Sequence, residues 1–145
     1  MAVRRLAWRT SVLLALALLA LPAPVRGQSF GFPWWRDAQF QRDLSLTPDQ
    51  SAKIDKVFEA TIPTLRQKRT ELDGLEEELS RMIAANADEA SVIKQVDKVE
   101  GLRSHLNKMR TLMLLRMRQI LSPEQRLKLN QKYEQWQKDH PRDRK

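Results

Sequence analysis

Apolar residues recur along this chain at helical spacing over two long stretches. The first begins at Pro48 and sets Ile54, Phe58, Leu65, Leu72, Leu75, Leu79, Met82 and Ile83 along a helix. Phe58, Leu65, Leu72 and Leu79 keep a seven-residue step, the spacing that turns one seam of a helix toward a partner. Thr61 and Lys68 interrupt the companion row, so the seam is not that of a continuous coiled coil. Pro63 lacks the amide that an interior helical residue donates, and a kink is expected there. The second stretch runs from about Glu89 to Leu121, with Val92, Val99, Leu106, Met113 and Ile120 in one seven-residue row and Val96, Met109 and Met117 beside it. A shorter third pattern follows Ser122, with Leu127, Leu129, Tyr133 and Trp136 as its apolar members, and His140-Pro141 ends it.

The starts of these helices are written in local chemistry. Leu46-Thr47-Pro48-Asp49-Gln50 places a hydroxyl at the N-cap, proline at N1, an acid at N2 and glutamine at N3. The Thr47 hydroxyl accepts from a free backbone amide while Gln50 reaches back to the cap, a capping box. Proline at N1 gives up an amide that has no partner anyway, and the acid complements the helix dipole. Leu121-Ser122-Pro123-Glu124-Gln125 repeats the same five roles 75 positions later. The first long helix is expected to end around 84–87, with Asp88 capping the next. At roughly 1.5 Å per residue the first rod is about 57 Å long. Two such rods joined by a short turn make a thin antiparallel hairpin, so the remaining apolar face is expected to be buried against a second copy of the chain.

Ahead of the hairpin, residues 28–45 read as an irregular arm whose aromatics, Phe30 to Trp35, need a surface, followed by a short helix over Arg36 to Leu44. Residues 1–27 have the three parts of a secretory signal peptide. Met1 to Arg9 is positive, Val12 to Leu21 is wholly apolar, and Val25-Arg26-Gly27 offers cleavage before Gln28. An apolar run of about 10 residues is half the roughly 20 a membrane span needs, so membrane contact is expected only if the segment is kept as an anchor. Residues 46–138 form the hairpin domain, and 139–145 a charged tail.

Charge modifies this picture little. The chain has 26 Lys+Arg and 18 Asp+Glu for a formal net charge of +8, and four of the cations lie in the first 27 residues, so the remaining 118 carry +4. Such mild basicity attracts acidic partners, and export excludes nucleic acid. The absence of cysteine excludes disulfides, thiol catalysis and thiolate metal sites. With four glycines there is no phosphate-cradling loop. His105 and His140 are the only imidazoles, and neither stands in a catalytic context, so no enzyme is expected. Glu71, Asp73, Glu76, Glu77 and Glu78 read as a solvated helix face. His105 and Met109 share one helix face, and Met113 and Met117 extend it. Nitrogen and soft sulfur donors suit copper, nickel or cobalt, whereas methionine also fills irregular apolar gaps. The same stretch, with Leu112, Leu114 and Leu115 among Lys108, Arg110, Arg116 and Arg118, reads as an adaptable apolar surface bordered by cations.

The export signal, the paired Leu-Thr/Ser-Pro-x-Gln elements and the long hairpin together resemble the Spy/CpxP family of periplasmic chaperones and the related periplasmic heavy-metal sensor and resistance proteins. The resemblance covers about Leu44 to Trp136, and the paired elements look like that family's repeated LTxxQ signature. It implies an all-α, four-helix protomer built on the hairpin and an antiparallel homodimer. It implies a periplasmic, ATP-independent, holdase-like chaperone or envelope-stress adaptor that takes unfolded or misfolded envelope proteins and needs no cofactor. A sensor protein of the envelope is a further expected partner. The client surface would draw on Arg66, Lys68, Arg69, Met109, Arg110, Met113, Arg116, Met117 and Arg118. Leu46, Thr47, Pro48, Gln50, Leu121, Ser122, Pro123 and Gln125 would be structural. The metal-sensing branch implies the alternative, a heavy-metal sensor or resistance protein, in which His105 and Met109 look like its His-x-x-x-Met pair and Glu59 stands for its acid. Phe40 and Leu44 stand where that branch carries histidines.

Overall fold

The computed structural model describes residues 32–141, and over them the chain is all α. The segment expected to be a signal peptide, the start of the expected arm and the end of the charged tail lie outside the described residues. A single 3-10 turn at Trp34–Arg36 leads into α1 (Ala38–Asp43), then α2 (Pro48–Ala84), α3 (Glu89–Gln119) and α4 (Pro123–Asp139). The helix α2 continues through Pro63 without a break. Cross-helix bonds pair low numbers with high ones: Gln50, at the start of α2, donates to the Ile120 carbonyl just past α3 at 3.1 Å, whereas Leu75, nearer the tip, accepts from the Gln95 side chain at 3.0 Å. The long helices are therefore antiparallel, and the expected hairpin is present.

Its boundaries follow from capping. Asp37 accepts from the amides of Gln39 and Phe40, and Asp88 from that of Ser91, each at 2.9 Å. The α2 terminus is a Schellman turn: Asn86 takes a left-handed backbone (φ 55°) while Asn86 N–H donates to Ile83 and Ala87 N–H to Met82. The end of α1 repeats it with Ser45 (φ 51°), whose N–H donates to Arg42, and Leu46, whose N–H donates to Gln41. Both boxes form as expected, Thr47 with Gln50 and Ser122 with Gln125.

The two boxes also grip each other. Gln50 Nε2 donates to Gln125 Oε1 at 2.8 Å, and Gln125 Nε2 donates to Gln50 Oε1 at 2.9 Å. Each amide spends its second N–H on a backbone carbonyl of the other half: Gln50 on Ile120, Gln125 on Ser45, both at 3.1 Å. Each Oε1 also takes the N-cap amide of its own helix, Thr47 at 3.1 Å and Ser122 at 2.9 Å. All bonding capacity of both side-chain amides is thus used. Every partner in one half has its counterpart 75 residues on in the other, a local pseudo-two-fold. The correspondence extends inward, since Ile54 matches Leu129 and Phe58 matches Tyr133. Ile54 and Leu129 are both buried, beside this clasp in sequence.

One core gathers here, at the end of the molecule away from the hairpin tip. It unites Trp34, Trp35, Leu44, Ile54, Leu65, Met113, Met117, Leu121, Leu129 and Tyr133. Farther along the hairpin only a thin seam is buried, with Leu72, Val99 and the bridging Gln95. Three apolar assignments differ from expectation, Val96, Leu127 and Ile83, the first being exposed on the outer side of α3. Leu127 is 59% exposed, because Leu129, Tyr133 and Trp136 share an i, i+4, i+7 face that Leu127 falls outside. Ile83, at the last turn of α2, is 62% exposed.

The clasp predicts coupling across 75 residues. Gln50→Ala and Gln125→Ala should each lower stability by about 1–3 kcal/mol, since each strands the other amide's groups. The double substitution should cost less than the sum by about 0.5–3 kcal/mol. Urea unfolding monitored by circular dichroism measures this, and strictly additive losses would show that the amides act separately.

Candidate binding site on the hairpin

The arm supplies a wall to the hairpin. Trp34 and Trp35 are buried, and the Trp35 ring lies 4.9 Å from that of Phe58. Two polar contacts latch the arm to α2. Trp35 Nε1 donates to Asp55 Oδ1 at 2.8 Å, and Arg36 Nε donates to the same oxygen at 2.6 Å. Arg36 also reaches Glu59 and lies over the Phe58 ring. Arg36 first, then the Trp35 indole, hold the Asp55 carboxyl below the ordinary carboxylate range. Asp43 of α1 pairs with Lys132 of α4, and the Lys132 ammonium sits over the Phe40 ring.

Arm, α2 and α3 enclose a pocket of about 420 Å³, lined by Phe32, Pro33, Trp34, Trp35, Phe58, Ile62, Leu65, Arg66, Arg69, Arg110, Met113, Leu114 and Met117. Three of the expected client-surface cations, Arg66, Arg69 and Arg110, therefore meet around one apolar hollow. Arg69 is paired with Asp73 at 3.0 Å. Met113 and Met117 require a correction: they are 7% and 2% exposed, in the core, and not open client surface. They occupy the α3 face turned to α2, where an unbranched thioether fills space beside Leu65 and the tryptophans. Met109 is half-buried against the same core. Lys68 is half-buried and pairs with Glu71. Burial pushes the Arg118 guanidinium down from its ordinary value, with the Arg126 charge adding to this, and its Nη2 donates to Asn130. Arg110 and Arg116 of the α3 set face solvent with no ion pair among the described residues.

That solvent side of α3 is itself apolar. Leu112 and Leu115 are exposed, the latter to 49%, and with Lys108 and Arg116 they occupy i, i+4, i+7 and i+8 positions of one face. Ile93 and Val96 are also exposed, nearer the tip.

The proposed metal donors fare differently. His105 is exposed on α3, and Glu59 is engaged by Arg36. Leu44 is wholly buried and Phe40 packs on the core, so both act as hydrocarbon where ligands would be needed. Among the described residues no three His, Cys, Asp or Glu side chains gather as a metal site.

A family model described as heavy-metal resistance matches residues 10–128. The chain belongs to that family. The heavy-metal resistance family lies within the Spy/CpxP-like helical superfamily, which agrees with the hairpin and its paired boxes. No match was found among curated proteins or solved structures. The contacts that the sequence did not point to are those of the latch, which joins Trp35 and Arg36 to Asp55. Aromatic residues beside an arginine in an otherwise polar arm were the available signal.

The latch gives a pH expectation. A carboxylate held below its ordinary range contributes stability above its unfolded pKa of about 3.9, lost as pH falls through the folded value. Arm attachment should therefore persist at neutral pH and fail in acid below about pH 4, with a change in tryptophan emission. Asp55→Asn should show the detached emission already at pH 7. An unchanged acid transition in that variant would contradict the latch.

Proposed function

We propose that this member of the heavy-metal resistance family is an exported, periplasmic binding protein without catalytic activity. It holds exposed apolar stretches of other envelope proteins, without ATP, on the solvent face of α3. The observation that carries this reading is that α3 is apolar on two sides. Val99, Met113 and Met117 are buried against α2, whereas Ile93, Val96, Leu112 and Leu115 remain exposed on the same helix. A second apolar stripe, outside the one a helix already buries, ordinarily has a partner of its own. Here Lys108 and Arg116 border the open apolar residues, a combination that suits unfolded segments with acidic neighbours. A second copy of the chain is a partner for the rest of the hairpin's apolar surface.

The family match favours a second reading, direct binding of copper, nickel or cobalt through His105 and Met109. These two side chains supply nitrogen and sulfur one turn apart, and a tight site needs further donors from a partner or a second copy.

Both readings meet in one set of measurements on the purified protein. The first predicts suppression of aggregation of an unrelated unfolded protein at near-stoichiometric ratio, insensitive to chelator. Leu112→Glu with Leu115→Glu should weaken it several-fold at unchanged helicity, and light scattering should give twice the protomer mass for both forms. A double variant that turns monomeric yet still suppresses would assign this face to the homodimer. No suppression, together with submicromolar metal binding lost in His105→Ala, would establish the second reading instead.

A further inference from the structure

The pocket between the arm, α2 and α3 differs in kind from the outer face of α3. Of its thirteen lining side chains ten are apolar and three are arginines, with no carboxylate, hydroxyl or amide among them. A polypeptide entering it would bring backbone N–H donors and find no side-chain acceptor on the walls. A hydrocarbon chain has no such groups to satisfy. The volume of about 420 Å³, at about 30 Å³ per water-sized group, has room for roughly 14 methylene-sized units. It is also within the usual range of small-molecule sites, about 300–1,000 Å³.

The cations complete the description. Arg69 is neutralised by Asp73. Arg66 on α2 and Arg110 on α3 are exposed and have no ion pair among the described residues, although arginines elsewhere on the hairpin, Arg81 and Arg103, are paired. Two uncompensated guanidiniums on facing helices, at the solvent side of an apolar hollow, suit a carboxylate better than a neutral or positive group.

The geometry points to a site for one long-chain fatty acid, its alkyl chain against Trp35, Phe58, Met113 and Met117 and its carboxylate between Arg66 and Arg110. This site does not depend on the client-holding face, and its occupant would pack on the tryptophans of the latched arm.

Calorimetric titration of the purified protein with tetradecanoate, below the concentration at which it forms micelles, tests the site. Tetradecanol and tetradecyltrimethylammonium provide neutral and cationic chains of equal length. One carboxylate should bind per protomer, at least about tenfold tighter than either control, with a change in tryptophan emission. Arg66→Gln with Arg110→Gln, at exposed positions where helicity should be kept, should erase that preference and leave alcohol binding intact. Leu112→Glu with Leu115→Glu should bind tetradecanoate as the unaltered protein does. No saturable carboxylate binding, equal affinity for all three chains, or a preference that survives the double arginine substitution would each overturn the proposal. Fatty-acid binding without aggregation suppression would retain this site and remove the chaperone reading; the converse would do the opposite.

Discussion

Two glutamine amides decide how this chain closes. Gln50 and Gln125 each finish the cap of their own helix through Oε1, and each then has two N–H groups to place. They place them on each other and on the carbonyls of Ile120 and Ser45. A half-met demand would leave polar groups stranded beside the core, so the arrangement is favourable only when complete. Completion requires the start of α2, the end of α3 and the start of α4 to meet at one point. The left-handed turn at Ser45, which aims its carbonyl at Gln125, brings the end of α1 to the same place. The single core of the protomer lies around this junction, and the rest of the hairpin projects from it as a thin pair of rods.

Function separates along the same line. Near the junction the arm is latched by Asp55, closing an arginine-edged apolar pocket over Met113 and Met117. On the outer side of the same turns, α3 has more apolar surface than one partner helix covers, and Leu112 and Leu115 stay in solvent. A firm base and an under-covered rod suit the holding of other molecules. That is compatible with membership of the heavy-metal resistance family.

Helix ends were the most legible part of the chain. Thr47, Asp88 and Ser122 announce their caps through residues within one turn, and local chemistry of that kind is read directly from sequence. The seven-residue row from Val92 to Ile120 also faces α2 as expected, with Val99 and Met113 buried. Periodicity was less informative where both sides of α3 are apolar: spacing alone does not say which stripe is inside, and Met113 and Met117 proved to be core while Leu112 and Leu115 are surface. The clasp was present in the sequence but hidden by its own local explanation. A capping role accounts for Gln50 and Gln125 within their own helices and leaves the destination of their amide hydrogens open. The wider repeat, Ile54 with Leu129 and Phe58 with Tyr133, was the additional signal. The latch was not legible, because Asp55 is one of many acids on α2 until the fold brings Trp35 and Arg36 over it.

The central claim is that the two helix starts form one cooperative unit, and hydrogen exchange tests it most directly. The backbone amides of Thr47 and Ser122 donate to Gln50 and Gln125 respectively. In Gln125→Ala, the Ser122 amide must exchange faster on any account, since it loses its acceptor. A joined pair of boxes predicts that the Thr47 amide, 75 residues away, also exchanges faster, because Gln50 has lost the partner that positions it. A Thr47 amide that keeps its protection in that variant would contradict the account.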